Sequence, residues 1–388
     1  MAERPGAFVP PAYPYDGLAP LARRAAALPG GAVDLSVGTP CDPPPPAVVE
    51  ALGSSGAERG YPSGTGSPRL LDAARSWVSR RFGVELARAE VAACVGTKEL
   101  VAGIPHWLRL RDPSRDTVLY PSVSYPTYEM GALLAGCRAV PVPTRADGAL
   151  DLDGVDEDDA GRALCLWVNS PANPTGMLDD LAAAAAWGRA RAVPVLSDEC
   201  YAEFTWDGPP RSILEHGGEG VLAVHSISKR SNAAGLRVGF YAGDGDLVGY
   251  LAELRRHAGF MVPGPVQLAG AVALEDDGHV VDQRERYLER LERCVDALSD
   301  LGVEASVPAG GFYLWVRAPG ERVLGEAGAA RGAPEALSAS WRFAWELAEH
   351  GGALVSPGEL YGPRGRDHVR VAVVQPSERI RLVADRLA

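Results

Sequence analysis

From position 226 the chain reads Ser226-Ile227-Ser228-Lys229-Arg230-Ser231-Asn232-Ala233-Ala234-Gly235-Leu236-Arg237-Val238-Gly239. One lysine sits on a hydroxyl-rich turn, directly after the apolar run Val221-Leu222-Ala223-Val224, which predicts a buried strand. An arginine follows beyond a loop of small residues. A lone lysine after a strand says little, because most lysines are solvated. Here, though, an amine able to attack a carbonyl carbon lies among hydroxyls and a permanent, fork-shaped cation. That grouping suits a ligand with both an aldehyde and a phosphate, and pyridoxal phosphate is such a ligand.

Other segments offer matching chemistry. In Val195-Leu196-Ser197-Asp198-Glu199-Cys200-Tyr201 an aspartate ends an apolar run, where it must be paired or hydrogen-bonded. It reads either as a helix cap or as the partner of a protonated pyridine nitrogen, which would keep the ring electron-withdrawing. Tyr201 reads as a packed aromatic or as a donor to the ring's phenolate oxygen. Asn173, in Asn169-Ser170-Pro171-Ala172-Asn173-Pro174-Thr175-Gly176, lies in turn chemistry at a strand tip, from where its amide reaches the same oxygen. Gly96-Thr97-Lys98 is a strand–glycine–helix junction whose free N–H groups suit an anion, with Ser226, Ser228 and Arg237 adding hydroxyls and charge. Tyr125 follows a strand and can stack on a ring or fill a core. Arg370, inside the apolar strand Val369-Arg370-Val371-Ala372, demands an anion, either a protein carboxylate or a substrate's.

These residues need a scaffold. Apolar runs at Val91–Val95, Thr117–Tyr120, Ala163–Val168, Val193–Leu196, Val221–His225 and Arg237–Tyr241 alternate with helical stretches at Lys98–Leu110, Tyr125–Ala135, Leu178–Arg191 and Leu247–Ala258. Such alternation predicts an α/β domain with a mostly parallel sheet, whose chemistry collects at the strands' carboxyl ends. After about Pro263 the pattern changes to one long helix over Val266–Leu301, the strand Phe312–Val316, a helix near Phe343–His350 and the strand His368–Val373, a smaller α+β unit. Ala318–Ser340 reads as an exposed insertion, and Pro43–Pro46 as a rigid connector before a helix near Ala47–Ala57.

The 388 residues are enough for about two domains, with 46% hydrophobic and 23% charged residues, as in soluble globular proteins. A net charge of −12 argues against nucleic acid as a partner. No apolar run reaches the ~20 residues needed to cross a bilayer, and the first residues lack a signal peptide's apolar core. The six scattered cysteines form no CxxC pair and read as free thiols, which fits the cytoplasm. The seven histidines have no HxxxH or HExxH spacing, so no metal is expected.

Taken together, Tyr61 with the glycine-rich stretch to Gly66, Gly96-Thr97-Lys98, Asn173-Pro174-Thr175-Gly176, Asp198-Glu199-Cys200-Tyr201, the Ser226–Gly239 block and Arg370 resemble the fold-type I pyridoxal-phosphate aminotransferases, the aspartate aminotransferase superfamily. The resemblance implies a large domain (41–265) with a mostly parallel seven-stranded sheet flanked by helices. It also implies a smaller α+β domain formed by the N-terminal arm (1–40) and the C-terminal part (266–388). By the same resemblance, Lys229 forms the Schiff base, Asp198 faces the ring nitrogen, Asn173 and Tyr201 bind the phenolate oxygen, and Tyr125 stacks on the ring. Gly96, Thr97, Lys98, Ser226, Ser228 and Arg237 surround the phosphate. Gly38 and Arg370 meet the substrate carboxylate, and Tyr61 reaches the phosphate of a second subunit in a homodimer.

Within that superfamily, Tyr125–Gly136, Ser228–Asn232, His257–Pro263 and Tyr361-Gly362-Pro363 before His368–Ala372 most resemble actinobacterial succinyldiaminopimelate aminotransferases. These move an amino group between glutamate and an N-succinylated keto-dicarboxylate in lysine biosynthesis. The chain departs from the pattern at Leu236, Val238 and Val373-Val374-Gln375-Pro376, outside the cofactor set. The same cofactor residues would serve a different outcome in specialised metabolism: β- or γ-elimination, replacement, or carbon–carbon bond formation on a donor such as S-adenosylmethionine.

Overall fold

The strands form where aliphatic and β-branched residues cluster: β1 (Val33–Asp34), β2 (Val91–Cys94), β3 (Thr117–Pro121), β4 (Arg138–Val142), β5 (Ala163–Asn169), β6 (Val195–Asp198), β7 (Val221–Ser226), β8 (Gly239–Gly243), β9 (Tyr313–Arg317), β10 (Ala353–Leu354), β11 (Ser356–Pro357) and β12 (His368–Ala372). The computed structural model describes residues 8–53, 56–324 and 337–388. Seven strands build one sheet in the order β2-β8-β7-β6-β5-β3-β4. Only β8 runs antiparallel to its neighbours. Its reversal matters for the site, because it brings the start of β8, just after Arg237, to the edge where β6 and β7 end.

Both faces of the sheet are covered. Along β5, Leu166 and Val168 enter one apolar cluster while Cys165 and Trp167 enter the other. A third cluster joins Leu18, Leu21 and Val33 to Phe312, Leu314, Phe343, Val371 and Ile380. Parallel pairing of β1 with β10 ties the early chain to its last third, beside an antiparallel sheet β11-β12-β9.

Several sequence expectations are corrected. The long helix over Val266–Leu301 is two helices, Gly264–Glu275 and Gly278–Asp300. The break falls at Asp276-Asp277-Gly278, poor helix formers, where the Asp276 carboxylate accepts the Gly278 N–H at 2.8 Å. The helix after Tyr125 starts at Thr127, behind Pro126. Edge strand β4 and the helix Pro68–Phe82 escaped the periodicity reading, since Pro141 interrupts the first and scattered arginines the second. The expected insertion Ala318–Ser340 lies partly outside the described residues. In its described part Gly320 and Glu321 are exposed, while Ala318 and Ser340 are buried and Val323 and Leu324 pack on the third cluster.

Candidate active site

The lysine turn is built by its own hydroxyls. Ser226, last in β7, accepts the Ser228 N–H at 3.0 Å and donates to Ser228 Oγ at 2.8 Å, starting the short helix Ile227–Arg230. Arg230, next to the lysine, is buried and bonds Glu203, Asp277 and the Ala273 carbonyl, so the turn cannot drift. Lys229 is thereby aimed into a cavity of about 530 Å³ at the strands' carboxyl ends, where its Nζ donates to the Gly38 carbonyl. Burial pushes its ammonium down to about 8, so an appreciable fraction is a free nucleophilic amine near neutral pH.

Asp198 ends β6 on the same cavity. Its carboxylate accepts Tyr128 Oη at 2.9 Å and the Cys200 N–H at 3.2 Å. Burial still raises its pKa, so the site would gain from a cation set against it. At one end, Gly96 holds a left-handed φ of 69° before the helix that starts at Thr97. A Cβ there would run into the Arg237 guanidinium, so the glycine lets helix start and cation approach each other. Glu99 braces that start by accepting the Val95 N–H at 2.9 Å while Arg255 grips it from two nitrogens.

Opposite, Arg370 is buried between the rings of Tyr313 and Tyr361, 4.2 and 4.7 Å from their centroids. It donates to Asn173 Oδ1 at 2.7 Å and to the Ser36 carbonyl, while its Nε has no partner among the described residues. No carboxylate of the described residues pairs with it, which leaves a buried cation aimed at a ligand. Asn173 is placed by Asn169, whose Oδ1 accepts its N–H at 2.7 Å.

Of the residues expected from sequence, Gly38, Thr97, Lys98, Tyr125, Asn173, Asp198, Tyr201, Ser226, Ser228, Lys229, Arg237 and Arg370 all line this one cavity. Gly96 stands directly behind it. Tyr61 does not, being 98% exposed in the single chain. Lys98 points its Nζ at Tyr13 Oη, 3.5 Å away, and over the Tyr125 ring at 5.9 Å. The chain holds only two lysines, Lys98 and Lys229, and both line this cavity.

Sequence reasoning missed Tyr13, Tyr15, Asn169, Tyr128, Cys200 and Tyr313 as lining residues. Tyr128 carried a signal, its three-residue spacing from Tyr125 at a helix start. Tyr313 carried none, since Phe312-Tyr313-Leu314-Trp315-Val316 reads as plain core.

The family described as aminotransferase class I and II matches residues 31–387. The chain belongs to that family. This aminotransferase is 42% identical to the probable aminotransferase Rv1178 of Mycobacterium tuberculosis, over 97% of its own length and 85% of that protein's. It is 40% identical to the 4-dedimethylamino-4-oxo-anhydrotetracycline transaminase OxyQ of Streptomyces rimosus, covering 97% of its own chain and 99% of OxyQ. A solved probable N-succinyldiaminopimelate aminotransferase from Thermus thermophilus superposes with a TM-score of 0.82 at 29% identity, covering 96% of this chain and 99% of that one. The family depends on pyridoxal phosphate, and the residues present fit it: a free-leaning amine, a carboxylate in want of a cation, and an anion-binding end share one cavity.

Proposed function

We propose that this aminotransferase exchanges an amino group between glutamate and an oxo acid in two alternating half-reactions. Its amino acceptor is the N-succinylated oxo acid that becomes N-succinyl-LL-2,6-diaminopimelate as glutamate becomes 2-oxoglutarate. The observation that carries the reading is Arg370, a buried guanidinium without a protein carboxylate, facing the cavity that Lys229 enters. It suits the carboxylate shared by amino and oxo acids, gripped at two points.

Lys229 would hold the cofactor covalently and Asp198 would stay ionised against its ring nitrogen. Tyr201 and Asn173 would donate to its phenolate oxygen, and Tyr125 would cover the ring. Thr97, Lys98, Ser226, Ser228 and Arg237 would receive its phosphate, with Gly96 allowing the approach. Bound pyridoxal phosphate supplies an electron-withdrawing ring that stabilises negative charge at the substrate's α-carbon. The Lys229 amine would take the proton from the substrate's α-carbon, a task for which burial suits it by favouring its neutral form. Arg370 and the Gly38 backbone orient the carboxylate so that this C–H bond faces Lys229.

The exposed side chain of Tyr61 supports a homodimer in which it reaches the partner's phosphate site. The free cysteines support a reducing, cytoplasmic setting.

A spectral half-reaction assay tests the reading. Glutamate should bleach the visible band of the yellow holoenzyme, and the N-succinylated oxo acid should restore it. A second acceptor class, an oxygenated polycyclic ketone, is favoured by the full-length match to OxyQ. Restoration by such a ketone and not by the succinylated acid would replace the first acceptor. No bleaching by any amino acid would end the proposal.

A further inference from the structure

Tyr201 follows β6 of the large sheet, whereas Tyr313 opens β9 of the small antiparallel sheet, yet their hydroxyls meet at 2.8 Å. Both side chains are buried, at 6% and 1% exposure, and their rings meet nearly edge to face, 5.5 Å apart at 69°. On the other side of Tyr313 stands Arg370, held over its ring because β12 pairs with β9 and sets Arg370 opposite Trp315, two residues along from Tyr313. The backbone of Gly38 closes the group: a Cβ there would overlap the Tyr313 phenol. The Tyr201–Tyr313 hydrogen bond thus joins the segment after β6 to β9, with Arg370 on the Tyr313 ring.

Either hydroxyl can donate in this pair. Tyr201 lines the cavity, and when its proton turns toward a ligand oxygen there, Tyr313 is the only one of the two left to donate, with Tyr201 accepting through its oxygen. A hydroxyl that accepts a hydrogen bond becomes a better donor itself.

We propose that Tyr313 is a positioning residue for Tyr201: its hydroxyl aims the Tyr201 proton at the cofactor's phenolate oxygen and strengthens that bond, linking the arginine that grips the carboxylate to the electronic state of the cofactor. The inference rests on the proposed function, in which Tyr201 faces that oxygen. A stronger bond to the phenolate oxygen favours the unprotonated form of the lysine-bound cofactor, and so lowers the pH at which its visible absorption changes.

The test is a spectrophotometric pH titration of four holoenzymes: wild type, Tyr313→Phe, Tyr201→Phe and the double variant. Circular dichroism and bound-cofactor content verify that each is folded. Tyr313→Phe keeps the ring beneath Arg370 and removes only the hydroxyl. Its midpoint should rise by about half a pH unit. Tyr201→Phe should rise further, and adding Tyr313→Phe to it should move the midpoint no more. A Tyr313→Phe midpoint equal to wild type, or a shift that adds fully in the Tyr201→Phe background, overturns the proposal. A wild-type protein with no lysine-bound visible band fails at the earlier step, and refutes the cofactor reading itself.

Discussion

Replacing Arg370 isolates the part of the site that selects carboxylates. The residue is 1% exposed, its guanidinium donates to Asn173 and to the Ser36 carbonyl, and Nε has no partner among the described residues. A substrate carboxylate docked there gains two charge-assisted hydrogen bonds, each contributing about 1.5–3 kcal/mol. Arg370→Lys keeps a charge but offers one bond, so kcat/KM for glutamate should fall by about 10- to 150-fold. Arg370→Met leaves the bound carboxylate buried and unpaired, at a cost of about 3–5 kcal/mol, or roughly 10²- to 10⁴-fold. The assay is the single-turnover loss of the visible band at a series of glutamate concentrations. A primary amine without a carboxylate is the control, and its rate should be nearly the same in all three proteins. An equal loss for that amine, or a loss under threefold for glutamate in Arg370→Met, would refute the carboxylate assignment.

Three further outcomes follow from named groups. Because Lys229 titrates near 8 and only the neutral amine attacks an aldehyde, apoprotein reconstitution with pyridoxal phosphate should speed up with pH through about 8 and then level off, as stopped-flow absorbance would record. Gly38→Ala drives a methyl into the Tyr313 phenol, and overpacking of about 1–3 kcal/mol should raise the glutamate KM by roughly 5- to 150-fold with cofactor content unchanged in the absorbance spectrum. Burial lifts Asp179 from its ordinary 3.8 to about 6, against the N–H groups of Leu150 and Asp180. Its folded-state value lies above the unfolded one, so its contribution to stability is present below pH 4 and lost as pH rises through 6. Asp179→Asn should therefore match wild type near pH 4 and exceed it at pH 7 by up to about 3 kcal/mol, read from urea midpoints.

Much of the site was legible because its residues sit where local chemistry conflicts with burial. Lys229, Asp198 and Arg370 are ionisable groups at or inside apolar strands, and each needed a partner that the sequence did not supply nearby. Strand β8 was legible as a strand but not in its direction, although that direction is what carries Arg237 to the others. The tyrosines resisted reading for the opposite reason. Tyr313 is apolar enough to pass for core, Tyr128 is marked only by its spacing from Tyr125, and it is tertiary placement that brings each hydroxyl to a site residue. The broken helix at Asp276-Asp277-Gly278 shows local propensity outweighing the apolar periodicity on either side.

With two lysines in the whole chain, one experiment addresses the central claim most directly. Borohydride reduction of the holoenzyme fixes the cofactor to whichever amine holds it, and peptide mass spectrometry reads the position. The account predicts a stoichiometric pyridoxyl-phosphate adduct on Lys229 and none on Lys98. An adduct on Lys98, or no adduct on a catalytically active protein, would contradict it.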